Sequence, residues 1–133
     1  MRATVSWKSG SYYEGTSHSG HKILLDSDPA HKGGPSSTEV VLMALCSCTA
    51  MDVYNILTKK REPVTGVTVS ADSEQAKEPP QVFTKIHLVY RVQGKVSPKS
   101  VEDAIHLSEV KYCSVAAMLR STAKIDYSIE YVE

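Results

Sequence analysis

This 133-residue sequence carries no net charge, since 15 lysines and arginines balance 15 aspartates and glutamates. Binding nucleic acid or an anionic membrane surface by bulk electrostatics needs an excess of one sign, so the balance argues against both partners. The one basic run, Lys59-Lys60-Arg61, stops at Glu62-Pro63 and suits a solvated helix end. Cysteine is scarce as well. Three residues, none in a C-x-x-C pair, do not make a disulfide framework; they point to free thiols, a metal site or redox chemistry. Nothing behind Met1 resembles a signal peptide, and the one long apolar run meets Asp52 and Asn55 too soon to span a bilayer. The expected location is the cytoplasm. There are no repeats or low-complexity tracts, and the length fits a single domain over 1–133. A chain of this size can bury roughly two thirds of its unfolded surface and needs no staples.

Three short extended segments come first. Thr4 to Lys8 alternates, Ser11 to Thr16 carries Tyr12-Tyr13, and His21 to Asp26 carries Ile23-Leu24-Leu25. Gly10 and Ser19-Gly20 separate them as turn residues, which predicts an antiparallel meander. A polar loop follows from Asp26 to Pro35. Ser36 or Ser37 can then cap a helix, and Glu39 stands three residues after Ser36, as a capping box requires. The run from Val40 to Cys46 is apolar on every face. Such a helix is buried in a core or at a subunit interface. It ends near Lys60, before Pro63.

Gly66 to Ser73 and Val82 to Val92 alternate as strands, the second placing Ile86, Leu88, Tyr90 and Val92 on one face. Ser97-Pro98 opens a helix running to about Val110, with Val101, Ile105 and Leu107 as its apolar stripe. Lys111-Tyr112 breaks that pattern. A short helix from Ser114 and a closing strand, Ile125 to Val132, complete the chain. The fold class is α+β, with helices gathered against antiparallel sheet. His87 and His106 fall on polar faces and read as solvated.

Cys46 and Cys48 lie two positions apart on the apolar helix, so their thiols are turned by about 200° and cannot bridge each other. Any disulfide within the chain must therefore use Cys113, at the expected start of a helix. The free N–H groups there, with Lys111 nearby, should lower its pKa and make Cys113 the better thiolate. Asp52, one turn beyond Cys48 on the same face, disfavours a Cys48 thiolate. Buried cysteines also serve as plain core filler.

The segment Gly34-Pro35-Ser36-Ser37-Thr38-Glu39-Val40-Val41-Leu42-Met43-Ala44-Leu45-Cys46-Ser47-Cys48-Thr49-Ala50-Met51-Asp52 resembles the central-helix signature of the OsmC/Ohr family. Lys111-Tyr112-Cys113-Ser114-Val115-Ala116 resembles that family's second-cysteine motif. The spacing of the two motifs agrees, as does the order of elements over essentially the whole chain. The resemblance implies an OsmC-like α+β fold: N-terminal antiparallel strands, a long buried central helix, further strands and two C-terminal helices, in an intertwined homodimer. It implies a thiol-dependent reductase of small organic hydroperoxides, with Cys48 as the peroxidatic and Cys113 as the resolving residue. No resident cofactor or metal is implied; an external thiol donor, a dithiol such as dihydrolipoamide, returns the pair to its reduced state. Cys46 falls where the family keeps a small residue and reads as structural.

The chain departs from the family's peroxidases in one respect. They set an arginine from the N-terminal strands against the reactive thiolate, held by a glutamate at the start of the central helix. No arginine occurs here between Trp7 and Arg61; the stretch from Ser11 to Lys32 offers His18, His21, Lys22, His31 and Lys32. Glu39 is the acidic residue nearest the family glutamate, whose strict place falls on Thr38. Glu39 thus reads either as catalytic support or as capping partner, and the chain resembles an OsmC-like branch. Two competing readings are a non-enzymatic dimeric module that binds a small apolar ligand and a metal site using Cys48, Cys113 and a histidine such as His21.

Overall fold

The computed structural model describes all 133 residues and divides into two compact units, Met1–Leu42 and Met43–Glu133.

In the first unit, β1 (Ala3–Ser9), β2 (Tyr12–Ser17) and β3 (Lys22–Asp26) form an antiparallel meander in the order β1-β2-β3. Each turn rests on a glycine in the left-handed region, Gly10 at φ 54° and Gly20 at φ 90°, where a Cβ would be strained. After β3 the buried Asp26 carboxylate accepts the N–H groups of Asp28 at 2.9 Å and Gly33 at 3.0 Å, folding the polar loop back on itself. Helix α1 (Ser37–Lys59) starts at the expected capping box. The Glu39 N–H donates to Ser36 Oγ at 3.2 Å and the Ser36 N–H donates to Glu39 Oε1 at 2.9 Å.

In the second unit, α1 runs through Asp52 and Asn55 to Lys59. This corrects the expectation that the apolar run stops too early to span a bilayer: at 23 residues the helix is long and apolar enough by length and composition alone. Its spacing explains its place in a folded unit instead. Leu45, Thr49, Val53 and Leu57 recur every fourth residue and form one fully packed stripe. The all-round burial read from the sequence is not met within one chain, because one chain covers only that stripe. Met51 (63%) and Tyr54 (48%) remain exposed.

Strands β4 (Gly66–Gln75) and β5 (Phe83–Gln93) pair antiparallel from Gly66↔Gln93 onward, with an irregularity at Glu74/Gln75. In β5, Ile86, Leu88, Tyr90 and Val92 point into the core together, as their alternation predicts. Helix α2 (Pro98–Leu107) buries Val101, Ala104 and Ile105. It passes into a five-residue π-helical turn, Ser108–Tyr112, and then into α3 (Ser114–Leu119). Strand β6 (Lys124–Val132) closes the sheet β4-β5-β6, parallel to β5 from Lys85↔Lys124 to Gln93↔Val132. The wholly antiparallel sheet expected from the sequence is thus corrected. The helices between β5 and β6 form a crossover, which brings the chain back in the same direction.

Candidate functional site

Two elements of the second unit bring the predicted cysteines together. Cys48 sits on α1 beside the packed stripe, and Cys113 is the N-cap of α3, where its Sγ accepts the Ala116 N–H at 3.4 Å. The π-helical turn sets the position of Cys113, whose own N–H donates to the Ser108 carbonyl at 2.8 Å. π-Helical turns inserted at helix ends are frequent at functional sites. All three cysteines are free thiols. The Cys48 and Cys113 sulfurs and a carboxylate oxygen of Asp52 lie within 4.8 Å of one another.

Cys113 is 3% exposed. Burial pushes its thiol up to about 11, and a hydrogen bond with Cys48 and the negative charge of Asp52 act in the same direction. Only the Ala116 N–H opposes them. This corrects the sequence reading that the helix start would make Cys113 the better thiolate. Desolvation outweighs the end of a helix only six residues long, and Lys111 sits over the Tyr112 ring, 5.2 Å from its centroid. At neutral pH Cys113 keeps its proton. Burial likewise raises the Cys46 thiol, in keeping with a structural role.

A chain of hydroxyls runs behind the thiols. Ser108, fully buried, donates its Oγ proton to Asp52 Oδ2 at 2.9 Å. A hydroxyl has one proton, so the 2.9 Å contact between Ser108 and Thr49 must be donated by Thr49. By the same count, the 2.7 Å contact between Thr49 and Tyr90 is donated by Tyr90. The polarity runs Tyr90, Thr49, Ser108, Asp52, and ends on the carboxylate beside the sulfurs. Burial first, with smaller contributions from nearby acidic groups, pushes the Tyr90 phenol up to about 12; the Thr49 bond opposes this. Tyr90 therefore remains a donor throughout the physiological range. Sequence reading singled out Asp52 through its spacing from Cys48, but not Ser108, Thr49 or Tyr90 as site residues. Single hydroxyls on buried elements carry no pattern of their own.

Glu39, His21 and His87 each have partners of their own. Glu39 is held by the capping box in the first unit, with its Oε1 3.9 Å from His31 Nε2. His21 closes the turn between β2 and β3, where its carbonyl accepts the Ser17 N–H at 2.8 Å. The third group beside the two sulfurs is Asp52. His87 is not simply solvated: its Nδ1 is 2.6 Å from Asp126 Oδ1 and its Nε2 3.1 Å from Ser128 Oγ. Tyr112 is exposed against Lys111 and packs into no core.

Comparison with known proteins places this geometry in context. Residues 30–128 match the family model described as OsmC-like protein. The chain is 43% identical over 133 residues to Protein YhfA of Escherichia coli K12, covering 99% of this chain and 98% of the relative. Among solved structures, an OsmC-like protein from Mycoplasma pneumoniae superposes with a TM-score of 0.86 at 17% identity, covering 99% and 96% of the two chains. The organic hydroperoxide resistance protein OhrB of Bacillus subtilis superposes with a TM-score of 0.71 at 12% identity, covering 98% of each. At these identities the two structures speak for the fold.

Proposed function

The chain belongs to the OsmC-like protein family, and from that premise we propose that it is a thiol-dependent reductase of organic hydroperoxides working through Cys48 and Cys113. The observation that carries this reading is the approach of the two sulfurs within 4.8 Å, with no other cysteine beside them. The Cys48 thiolate attacks the outer oxygen of the hydroperoxide. The O–O bond breaks, Cys48 becomes a sulfenic acid, and the alkoxide leaves and takes a proton as the alcohol. Cys113 then attacks the sulfenic sulfur, water departs, and a Cys48–Cys113 disulfide forms. An external dithiol restores both thiols by exchange.

The distribution of protons supports these roles. A buried thiol raised to about 11 is a poor first nucleophile, but it is well placed to wait, protonated, beside Cys48 until a sulfenic acid appears. The reading includes a cytoplasmic homodimer. Exposed Met51 and Tyr54 on α1 are the kind of surface that a second subunit would cover. Rapid mixing of the reduced protein with cumene or tert-butyl hydroperoxide, recycled by dihydrolipoamide or dithiothreitol, tests the proposal. Consumption no faster than the background reaction, with both thiols reduced, overturns it.

A second reading, a non-enzymatic module for a small apolar ligand, is favoured by one observation. The first unit contains a groove of about 370 Å³ with Val5, Ile23, Leu25 and Val40 among its walls. That reading expects an apolar ligand to copurify and its binding to survive Cys48→Ala.

A further inference from the structure

We propose that the reduced site is also a metal site, in which Cys48 Sγ, Cys113 Sγ and an Asp52 carboxylate oxygen bind one soft divalent ion of the zinc class. Nothing in this inference requires that hydroperoxides be the substrate, since it concerns the reduced thiols alone.

Three features carry it. The first is geometry. Cys48 and Asp52 are four residues apart on α1 and so share a face, and Cys113 reaches them from the π-helical turn. Their ligand atoms all lie within 4.8 Å. With a metal–sulfur bond of about 2.3 Å, tetrahedral sulfur ligands stand about 3.8 Å apart, so small side-chain rotations close the site. The second is orientation. Ser108 fixes both flanks, donating its hydroxyl to Asp52 Oδ2 and accepting the Cys113 N–H through its carbonyl. Hydrogen bonds of this kind hold first ligands in place in metalloproteins. The third is charge. Asp52 takes part in no ion pair within the chain. A divalent ion supplies the missing positive charge.

The donor set selects the ion. Two sulfurs favour zinc-like ions over magnesium or calcium, which take oxygen ligands. Three protein ligands leave a fourth position for water, the arrangement of an open rather than a closed zinc site. Binding is not a redox step: the ion enters, two thiol protons leave to solvent, and the carboxylate contributes as it stands.

Cobalt(II) titration of the full-length, anaerobically reduced protein tests the proposal, because cobalt reports sulfur ligation by its charge-transfer band and tetrahedral geometry by its visible bands. The expected result is one cobalt per chain, displaced by zinc. The sulfur band should weaken or vanish in Cys48→Ser and in Cys113→Ser and persist in Cys46→Ser. Asp52→Asn, which can still accept the Ser108 hydrogen bond, should bind at least about tenfold more weakly with its circular dichroism unchanged. If Asp52→Asn does not fold, the Cys113→Ser titration still decides the matter. Absence of the sulfur band in the reduced protein overturns the proposal. So does an unchanged titration in Cys113→Ser, or wild-type affinity in folded Asp52→Asn. Hydroperoxide consumption, measured separately with a chelator present, shows whether the redox reading stands or falls by itself.

Discussion

Ser108 holds Cys113 by the backbone and Asp52 by the side chain: its carbonyl accepts the Cys113 N–H at 2.8 Å and its hydroxyl donates to Asp52 Oδ2 at 2.9 Å. One buried serine thus ties Cys113 to the carboxylate on the opposite element. Thr49 and Tyr90 extend that tie into the sheet. The thiol site is part of the core of the second unit, so changes to its chemistry and to its stability are linked.

The two cysteines should separate kinetically. Cys48→Ser is expected to reduce hydroperoxide consumption to the background rate. With no external thiol present, Cys113→Ser should still consume one equivalent rapidly and hold a sulfenic acid on Cys48 where the parent protein forms a disulfide, because no second sulfur of the chain is in reach to displace water. Stopped-flow turnover, with dimedone trapping and mass spectrometry, checks both. Full multiple turnover in Cys48→Ser would remove that residue from the mechanism.

The hydroxyl chain should be cooperative. Ser108→Ala leaves Asp52 without its donor and Thr49 without an acceptor, and should cost about 1–3 kcal/mol. Tyr90→Phe removes one end and leaves Thr49 bonded to Ser108, so a loss of about 0.5–1.5 kcal/mol is expected. The double variant should lose less than the sum of the two, since Thr49 has no chain left to complete. Urea unfolding of the four proteins measures this cycle. Strict additivity would show that the hydroxyls act independently.

Stability should fall in alkali, with the sign set by Cys113. Its thiol pKa is raised from 9.0 to about 11 in the folded chain, so between those values the native state binds more proton than the unfolded one. The stabilising contribution is complete below pH 9 and is lost as pH rises through 11. It amounts to no more than about 3 kcal/mol. Tyr90, raised from 10.0 to about 12, extends the loss to higher pH. Urea midpoints of the reduced protein at pH 8 and at pH 10.5 should differ, and Cys113→Ala should reduce the difference. An equal difference in that variant would place the alkaline sensitivity elsewhere.

The sequence makes the elements legible more readily than their partners. The alternation of Ile86, Leu88, Tyr90 and Val92 is local, and β5 follows it. Ser36 and Glu39 are three residues apart, and the capping box forms between them. The direction of β6 was not readable, because a strand's own pattern is the same whether its neighbour runs parallel or antiparallel. The acidity of Cys113 escapes the sequence for a related reason: its position at a helix start is visible locally, whereas its burial beside Cys48 and Asp52 of α1 is not. Asp52 stood out by its spacing from Cys48. Ser108, 59 residues from Thr49, could be found only once the fold had brought the two together.

Glu39 offers a clean separation of a structural from a chemical role. Its carboxylate accepts the Ser36 N–H, and this bond is the main cause that holds its pKa below the usual glutamate value; the Ser36 hydroxyl and His31 act in the same direction. Stability linked to that carboxylate is therefore present above pH 4.5 and declines as the pH falls below it. Glutamine serves at this place in a capping box, so Glu39→Gln should keep the helix start and lose only the acid-linked part. Ser36→Ala removes the acceptor for the Glu39 N–H and should cost about 0.5–2 kcal/mol at neutral pH. If capping is the whole role of Glu39, the hydroperoxide rate and its pH profile in Glu39→Gln will match the parent protein. A fall in that rate with the unfolding midpoint unchanged would instead assign the carboxylate to the chemistry, through a geometry that forms only when substrate or a second subunit is bound.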